Sequence, residues 1–309
     1  MQRRLDWERE GADWPHRAHS AFMNCDGLRW HVQRFACTHA ASDLPAPRCL
    51  LIHGTGSSTH SWRDVAPRLQ PHFEVLAIDL PGHAYTSLPS DGIGSPQLSL
   101  PGMARTLARL LAMLDFMPQL VVGHSAGAAI AARMAIDGAI APQLLVSLNG
   151  ALLPLGGMAG RVFSPAARLM AALPGVPRLF AWSASDASVM QRLLDSTGSA
   201  LDAQGRELYA RLAANPGHAE GALGMMAGWD LPAFERDLQR LRTPLALVVG
   251  SQDATVPPGD ADRVMARLQG VVPIQKIVLE GLGHLAHEEQ PERAVEAVRQ
   301  AWQQVRAPV

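Results

Sequence analysis

Six short apolar runs constrain this 309-residue chain more than any other feature. They read CLLIHG (49–54), EVLAID (74–79), QLVVG (119–123), LLVSLN (144–149), LALVVG (245–250) and IQKIVLE (274–280), the last the least purely apolar. Short runs without a polar face are what strands covered on both sides show. Between two of them, Leu100, Met103, Leu107, Leu110 and Leu114 recur at steps of three and four, a stripe suited to a helix lying on a sheet. Ahead of the first run, His19 to Cys25 and Leu28 to Phe35 flank Asp26-Gly27, a strong hairpin signal. A hairpin followed by alternating strands and helices predicts an α/β fold with a mostly parallel eight-stranded sheet and helices on both faces. Right-handed crossovers then bring the C-terminal ends of the parallel strands to one edge, where ligands bind.

Residues 156–240 break the alternation. Turn signals at Pro174-Gly175, Thr197-Gly198 and Pro216-Gly217 separate helical stretches, with no convincing strand. The expected organisation is a core of residues 1–155 and 241–309, with 156–240 inserted as a helical cap. Hydrophobic residues at 48% against 18% charged favour a folded core, and a net charge of −1 gives no electrostatic reason to expect nucleic acid. Cys25, Cys37 and Cys49 are an odd, sparse set without metal-ligand spacing, which suits a reducing compartment. The opening MQRRLDWEREGADWPHR has no apolar stretch behind its arginines, and no run approaches the ~18 apolar residues of a membrane helix. The expectation is a soluble cytoplasmic protein without a transmembrane segment.

The chemistry centres on VVGHSAGAAI (121–130). G-x-S-x-G alone is weak, but here a strand precedes Ser125 and a helix of small residues follows, the setting of a nucleophile elbow. Gly123 and Gly127 are needed because strand and helix approach closely around a strained serine. A hydroxyl nucleophile needs a base, and the base an orienting acid, in the chain order Ser, Asp or Glu, His. Asp253 follows the strand LALVVG in the loop SQD, and His284 follows IQKIVLE in GLGH. His287 is the alternative base, and H-x-x-H also admits a metal pair. Gly281 and Gly283 free the His284 loop, whereas His287 opens a helical pattern, and no third ligand stands at metal spacing. Asp253 could instead be a turn or helix-cap aspartate. An acid after LLVSLN is ruled out by Asn149 and Gly150.

Acyl transfer also needs donors for an oxyanion. The backbone N–H of Ala126 supplies one. The second belongs to the loop H-G-T-G (53–56), with Thr55 N–H as first candidate and Gly56 as second. Position 125 is not the aspartate of halide- or epoxide-processing relatives of this architecture. No glycine-rich nucleotide fingerprint follows the first parallel strand, so neither a cofactor nor a metal is indicated.

Together these motifs resemble the α/β-hydrolase superfamily with a helical cap, over almost the whole chain. DLPGH (79–83) is similar to that superfamily's loop after the fourth strand, with Ala84 where glycine is usual, a change that stiffens the loop. DWPHRAHS (13–20), GLRWHVQR (27–34), HGTGSSTHSWRD (53–64), SLNGALLP (147–154) and MMAGWDL (225–231) resemble a narrower group. That group is the magnesium-chelatase accessory proteins of bacteriochlorophyll biosynthesis, the BchO type. The resemblance implies a place near magnesium insertion in photosynthetic pigment synthesis; the family name describes an association rather than a reaction.

The cap carries Met158, Phe163, Met170, Phe180, Trp182, Met225, Met226 and Trp229. Such residues suit a pocket for a large flat apolar ligand, such as a tetrapyrrole or its ester; they equally suit the cap's own packing. The expected activity is that of a serine hydrolase acting on an ester or related acyl bond, by Ser125, His284 and Asp253. The alternative is a non-catalytic protein that binds porphyrin or a chelatase subunit and retains an inherited triad.

Overall fold

The computed structural model describes residues 4–38, 45–154, 156, 173 and 175–306. The opening hairpin forms as expected, with β1 (Ser20–Cys25) and β2 (Leu28–Phe35) paired antiparallel. Asp26 and Gly27 both take positive φ, 54° and 76°, the turn whose twist matches paired strands. The six apolar runs become β3 (Arg48–Ile52), β4 (Glu74–Ile78), β5 (Leu120–His124), β6 (Leu144–Leu148), β7 (Leu245–Gly250) and β8 (Ile274–Leu279). They form one eight-stranded sheet in the order β1-β2-β4-β3-β5-β6-β7-β8. β2 runs antiparallel to both its neighbours, and every other pairing is parallel.

Both faces of β3 to β7 are covered, which is why those runs lack a polar side, whereas edge strand β8 is only partly buried. Leu50 and Ile52 enter one hydrophobic cluster while Cys49 and Leu51 enter another, the period-two alternation of a strand. The first cluster holds α1 (Leu100–Met113) and α2 (Ala126–Ile136) against β3, β4 and β5. Leu100, Met103, Leu107 and Leu110 of the expected stripe are buried there, and Leu114 packs at its margin. On the other face α3 (Pro291–Arg306) contributes Ala294, Val298, Ala301 and Trp302. Each fully buried Leu contributes roughly 1.5–3 kcal/mol relative to an exposed one.

Between β6 and β7 the described residues are helical. They form α4 (Val176–Ala184), α5 (Ala187–Asp195), α6 (Ala203–Ala213), α7 (Pro216–Gly228) and α8 (Leu231–Asp237), with no strand among the described residues. Side-chain caps start four of them: Asp186, Asp202, Asn215 and Asp230 each accept backbone N–H bonds from the first turn. α6 and α7 reach the loops beyond β3 and β4. Tyr209 lies 3.1 Å from the Ser57 hydroxyl, and His218 bonds Gly56 and Ala84. No helix among the described residues is long and apolar enough to cross a membrane.

Candidate active site

Ser125 stands between the end of β5 and the start of α2, with φ 51° and ψ −118°. That left-handed backbone is strained for a residue with a side chain and persists only where its surroundings enforce it. Here they do. The Ser125 N–H donates to the Leu148 carbonyl at 3.1 Å, and the Ser125 carbonyl accepts from Ala128 and Ala151. A Cβ on Gly127 would stand 2.1 Å from the Ile52 carbonyl oxygen, and one on Gly123 2.5 Å from the Ala128 nitrogen. The small residues around the serine are therefore steric requirements of the sharp turn. Ser125 itself stays partly exposed while its neighbours are buried.

Asp253 and His284 meet as the chain order demanded. The His284 Nδ1–H donates to Asp253 Oδ2 at 2.8 Å, and both residues are buried. The other carboxylate oxygen accepts the N–H groups of Thr255 and Val256, each at 2.8 Å. Asp253 thus caps its own turn and bonds His284 at once. With Nδ1 donating, the His284 Nε2 is left as the basic nitrogen.

A residue beside Ser125 holds the His284 backbone. His124 Nε2 donates to the His284 carbonyl at 2.9 Å, and the two rings lie 4.8 Å apart. Asn149, the residue after the Ser125 partner Leu148, donates from Nδ2 to the Gly283 and His284 carbonyls at 2.9 and 2.8 Å. Its Oδ1 accepts the Gly250 N–H at 2.7 Å. One buried amide therefore ties the end of β6 to the loops that carry Asp253 and His284. The Thr197 carbonyl does similar work from the helical stretch, accepting from His284 N at 3.1 Å and Ala254 N at 3.3 Å. In the sequence Asn149 stands out only as a non-acid after its strand, and Thr197 only as part of a turn. A polar residue at the end of a buried strand was the signal for Asn149; nothing local marked Thr197.

The alternative base is otherwise engaged. His287 is fully buried, its Nε2 2.7 Å from the Ser61 hydroxyl, its ring 4.7 Å from Trp62. Burial and the neighbouring His284 hold its pKa down to about 3, so it stays neutral. Among the described residues no cluster of His, Cys, Asp or Glu could hold a metal ion.

The loop 53–57 lies against the serine: a Cβ on Gly54 would come within 2.9 Å of the Ser125 Cβ. Thr55 follows in this loop, and Ala126 opens α2 directly after Ser125. The first amides of a helix have no intrahelical acceptor. Ala84 takes φ 41°, so the residue standing where glycine is usual keeps the left-handed backbone.

A hydrogen-bonded chain of the same three residue types lies elsewhere. Ser20 Oγ is 3.0 Å from His31 Nε2, and His31 Nδ1 is 2.7 Å from Asp79 Oδ2. Burial works against the Asp79 carboxylate, but the His31 ring and the Thr59 N–H outweigh it and hold its pKa at about 2. Ser20 sits in an ordinary strand, with no elbow and no helix start beside it. Of the two serines, only Ser125 has the strained strand-to-helix backbone.

The expected apolar pocket fares differently. Met158, Phe163 and Met170 lie outside the described residues. Met225 and Trp229 are buried in the main core, and the Trp229 indole N–H donates to the Leu98 carbonyl. Phe180 is exposed and Trp182 is 74% exposed on α4, facing outward. Met226 is half-buried. A groove of about 460 Å³ is lined by Arg48, Glu74, Gln119, Gln143 and Trp302 at the opposite, N-terminal edge of the parallel strands.

Residues 49–298 match the model of the alpha/beta hydrolase family. The chain belongs to that family. A relative from Rhodobacter capsulatus, the magnesium-chelatase 30 kDa subunit, is 35% identical over 90% of this chain and 92% of its own length. The narrower resemblance carried by the flanking motifs is to this kind of protein. Solved structures agree on the fold of this family member. An alpha/beta hydrolase fold protein from Burkholderia ambifaria superposes with a TM-score of 0.73 at 20% identity, over 97% of this chain and all (100%) of the other. A thermophilic esterase from Thermogutta terrifontis gives 0.68 at 21% identity, over 93% and 99%.

Proposed function

We propose that the protein is a serine hydrolase cleaving an ester or related acyl bond. Ser125 attacks the carbonyl, His284 takes the proton and returns it to the leaving group, and Asp253 holds the imidazole. The Thr55 and Ala126 N–H groups stabilise the oxyanion, a contribution of about 3–4 kcal/mol per donor in such sites. The observation that carries this reading is the buried His284–Asp253 pair, whose His284 carbonyl is held by His124, the residue next to the strained Ser125. Residues 156–240 serve as a cap over the strand ends, and their contacts with the loops beyond β3 and β4 support that division. The ligand is an apolar small molecule, a tetrapyrrole or its ester, handled in the cytoplasm near magnesium insertion. The relationship to a magnesium-chelatase subunit supports that pathway and an association with the chelatase.

The same relationship favours a second reading, because that relative is named for a chelatase and not for a hydrolysis. In it the protein binds porphyrin or a chelatase subunit and keeps the triad by inheritance. Labelling with a fluorophosphonate probe separates the two. The hydrolase reading expects labelling of the wild type that vanishes in Ser125→Ala. Absence of labelling in properly folded wild type would refute it, and full rescue of pigment synthesis by Ser125→Ala would favour the binding role.

A further inference from the structure

Residues 54–57 form a turn closed by the Ser57 N–H donating to the Gly54 carbonyl at 3.2 Å, with Gly56 at φ 75°. A turn closed this way uses neither the Thr55 nor the Gly56 N–H. Contacts from outside add to that internal bond. Three successive residues are tied to the helices between β6 and β7. The Thr55 hydroxyl meets Met225 Sδ at 3.5 Å, the Gly56 carbonyl meets His218 Nε2 at 3.1 Å, and the Ser57 hydroxyl meets the Tyr209 hydroxyl at 3.1 Å.

The His218 contact is the most constrained. Its Nδ1 accepts the Ala84 N–H at 2.9 Å, and a backbone N–H can only donate. The proton must then sit on Nε2, which donates to Gly56. Burial lowers the His218 pKa to about 4, so the ring stays neutral in that tautomer. The ring is itself anchored. Asn215 Oδ1 caps α7 by accepting from Gly217 N at 3.0 Å and His218 N at 3.1 Å. One turn on, a Cβ on Gly221 would lie 2.2 Å from the Gly82 carbonyl oxygen, so α7 rests backbone to backbone on the loop beyond β4. Tyr209 is likewise buried, its hydroxyl donating to Glu288 at 2.7 Å.

We propose that His218 is a positioning residue for the oxyanion turn, bridging the Ala84 N–H and the Gly56 carbonyl, with the Ser57–Tyr209 hydroxyl pair as its second anchor. The helices between β6 and β7 thereby take part in the chemical step as well as covering it. This inference rests on the serine-hydrolase reading.

The test is steady-state hydrolysis of p-nitrophenyl acetate by the full chain, with fluorophosphonate labelling rates beside it. His218→Leu keeps the bulk but loses both bonds. It should lower kcat about 10- to 100-fold while KM moves less than about threefold, because the contact is spent in the transition state. His218→Gln, which can accept from Ala84 and donate to Gly56, should recover most of that loss. Ser57→Ala should cost kcat about 3- to 10-fold. Wild-type kcat in His218→Leu would overturn the proposal, and so would equal losses in the Leu and Gln variants. If His218→Leu does not fold, Ser57→Ala decides, and an unchanged kcat there overturns it. Ser125-dependent turnover with unaffected His218 variants removes this inference alone. Wild type without Ser125-dependent turnover or labelling removes the hydrolase reading and this inference with it.

Discussion

Replacing Asn149 by alanine should damage stability and reactivity together. The side chain is 2% exposed and makes three hydrogen bonds, to Gly250 N, Gly283 O and His284 O. Alanine removes all three. The His284 carbonyl keeps His124 as a donor, whereas the Gly250 N–H and Gly283 carbonyl lose the amide that serves them. A buried group stripped of its partner costs about 1–3 kcal/mol, so two of them, eased by relaxation or an entering water, should cost roughly 3 kcal/mol. The catalytic effect has a separate origin. Asn149 sets the distance between the loop holding Asp253 and the loop holding His284, and a shift of ~1 Å at a reacting group can cost ~10²-fold. Denaturant unfolding measures the first quantity, and the rate of fluorophosphonate labelling at Ser125 measures the second. A variant within ~0.5 kcal/mol of wild type, labelled within about twofold of its rate, would refute the reasoning, since that is the range of an indifferent surface change.

Other outcomes follow from the same geometry. Asp253→Asn should keep the caps to Thr255 and Val256 and hence most of the stability, yet lower kcat on the order of 10⁴-fold by favouring the wrong His284 tautomer; stability and kcat are measured on one preparation. Ser20→Ala should leave fluorophosphonate labelling unchanged although Ser20 contacts a buried His–Asp pair, and a loss of labelling would move the nucleophile away from the elbow. Burial pushes the Glu288 carboxyl up to about 7, against the Tyr209 hydroxyl and an Arg63 guanidinium shared with Asp64 and Asp202. Because its folded pKa lies above the unfolded value, its contribution is fully present below about pH 4.5 and is lost as pH rises through 7, on the order of 3 kcal/mol in all. Glu288→Gln should flatten that limb in unfolding measured from pH 5 to 8 (about the range that spans the shift), and an unchanged pH profile would contradict the assignment.

Much of the fold was legible because it is written locally. Apolar runs covered on both faces, the Asp26-Gly27 turn and the stripe from Leu100 to Leu110 each report a period or a turn preference that needs no knowledge of distant residues. The elbow was legible for the same reason, since its glycines answer contacts with β3 and with the first turn of α2 that any strand–serine–helix turn of this kind makes. The order of Ser125, Asp253 and His284 placed the candidate acid and base at the ends of successive strands.

What the chain pattern left open is decided by contacts across the sheet. The amide of Asn149, the carbonyl of Thr197 and the ring of His218 join segments that only strand order and register bring together, so no local periodicity announces them. The pocket expectation met the same limit: hydrophobicity alone does not say whether a Trp faces a core, as Trp229 does, or the outside, as Trp182 does. The Ser20–His31–Asp79 chain and the His284–Asp253 pair show this most plainly. Sequence alone supplied the residue types and the elbow that marks one serine. The tertiary structure decided which histidine each carboxylate meets, because hydrogen bonds between distant loops depend on where the whole sheet puts them.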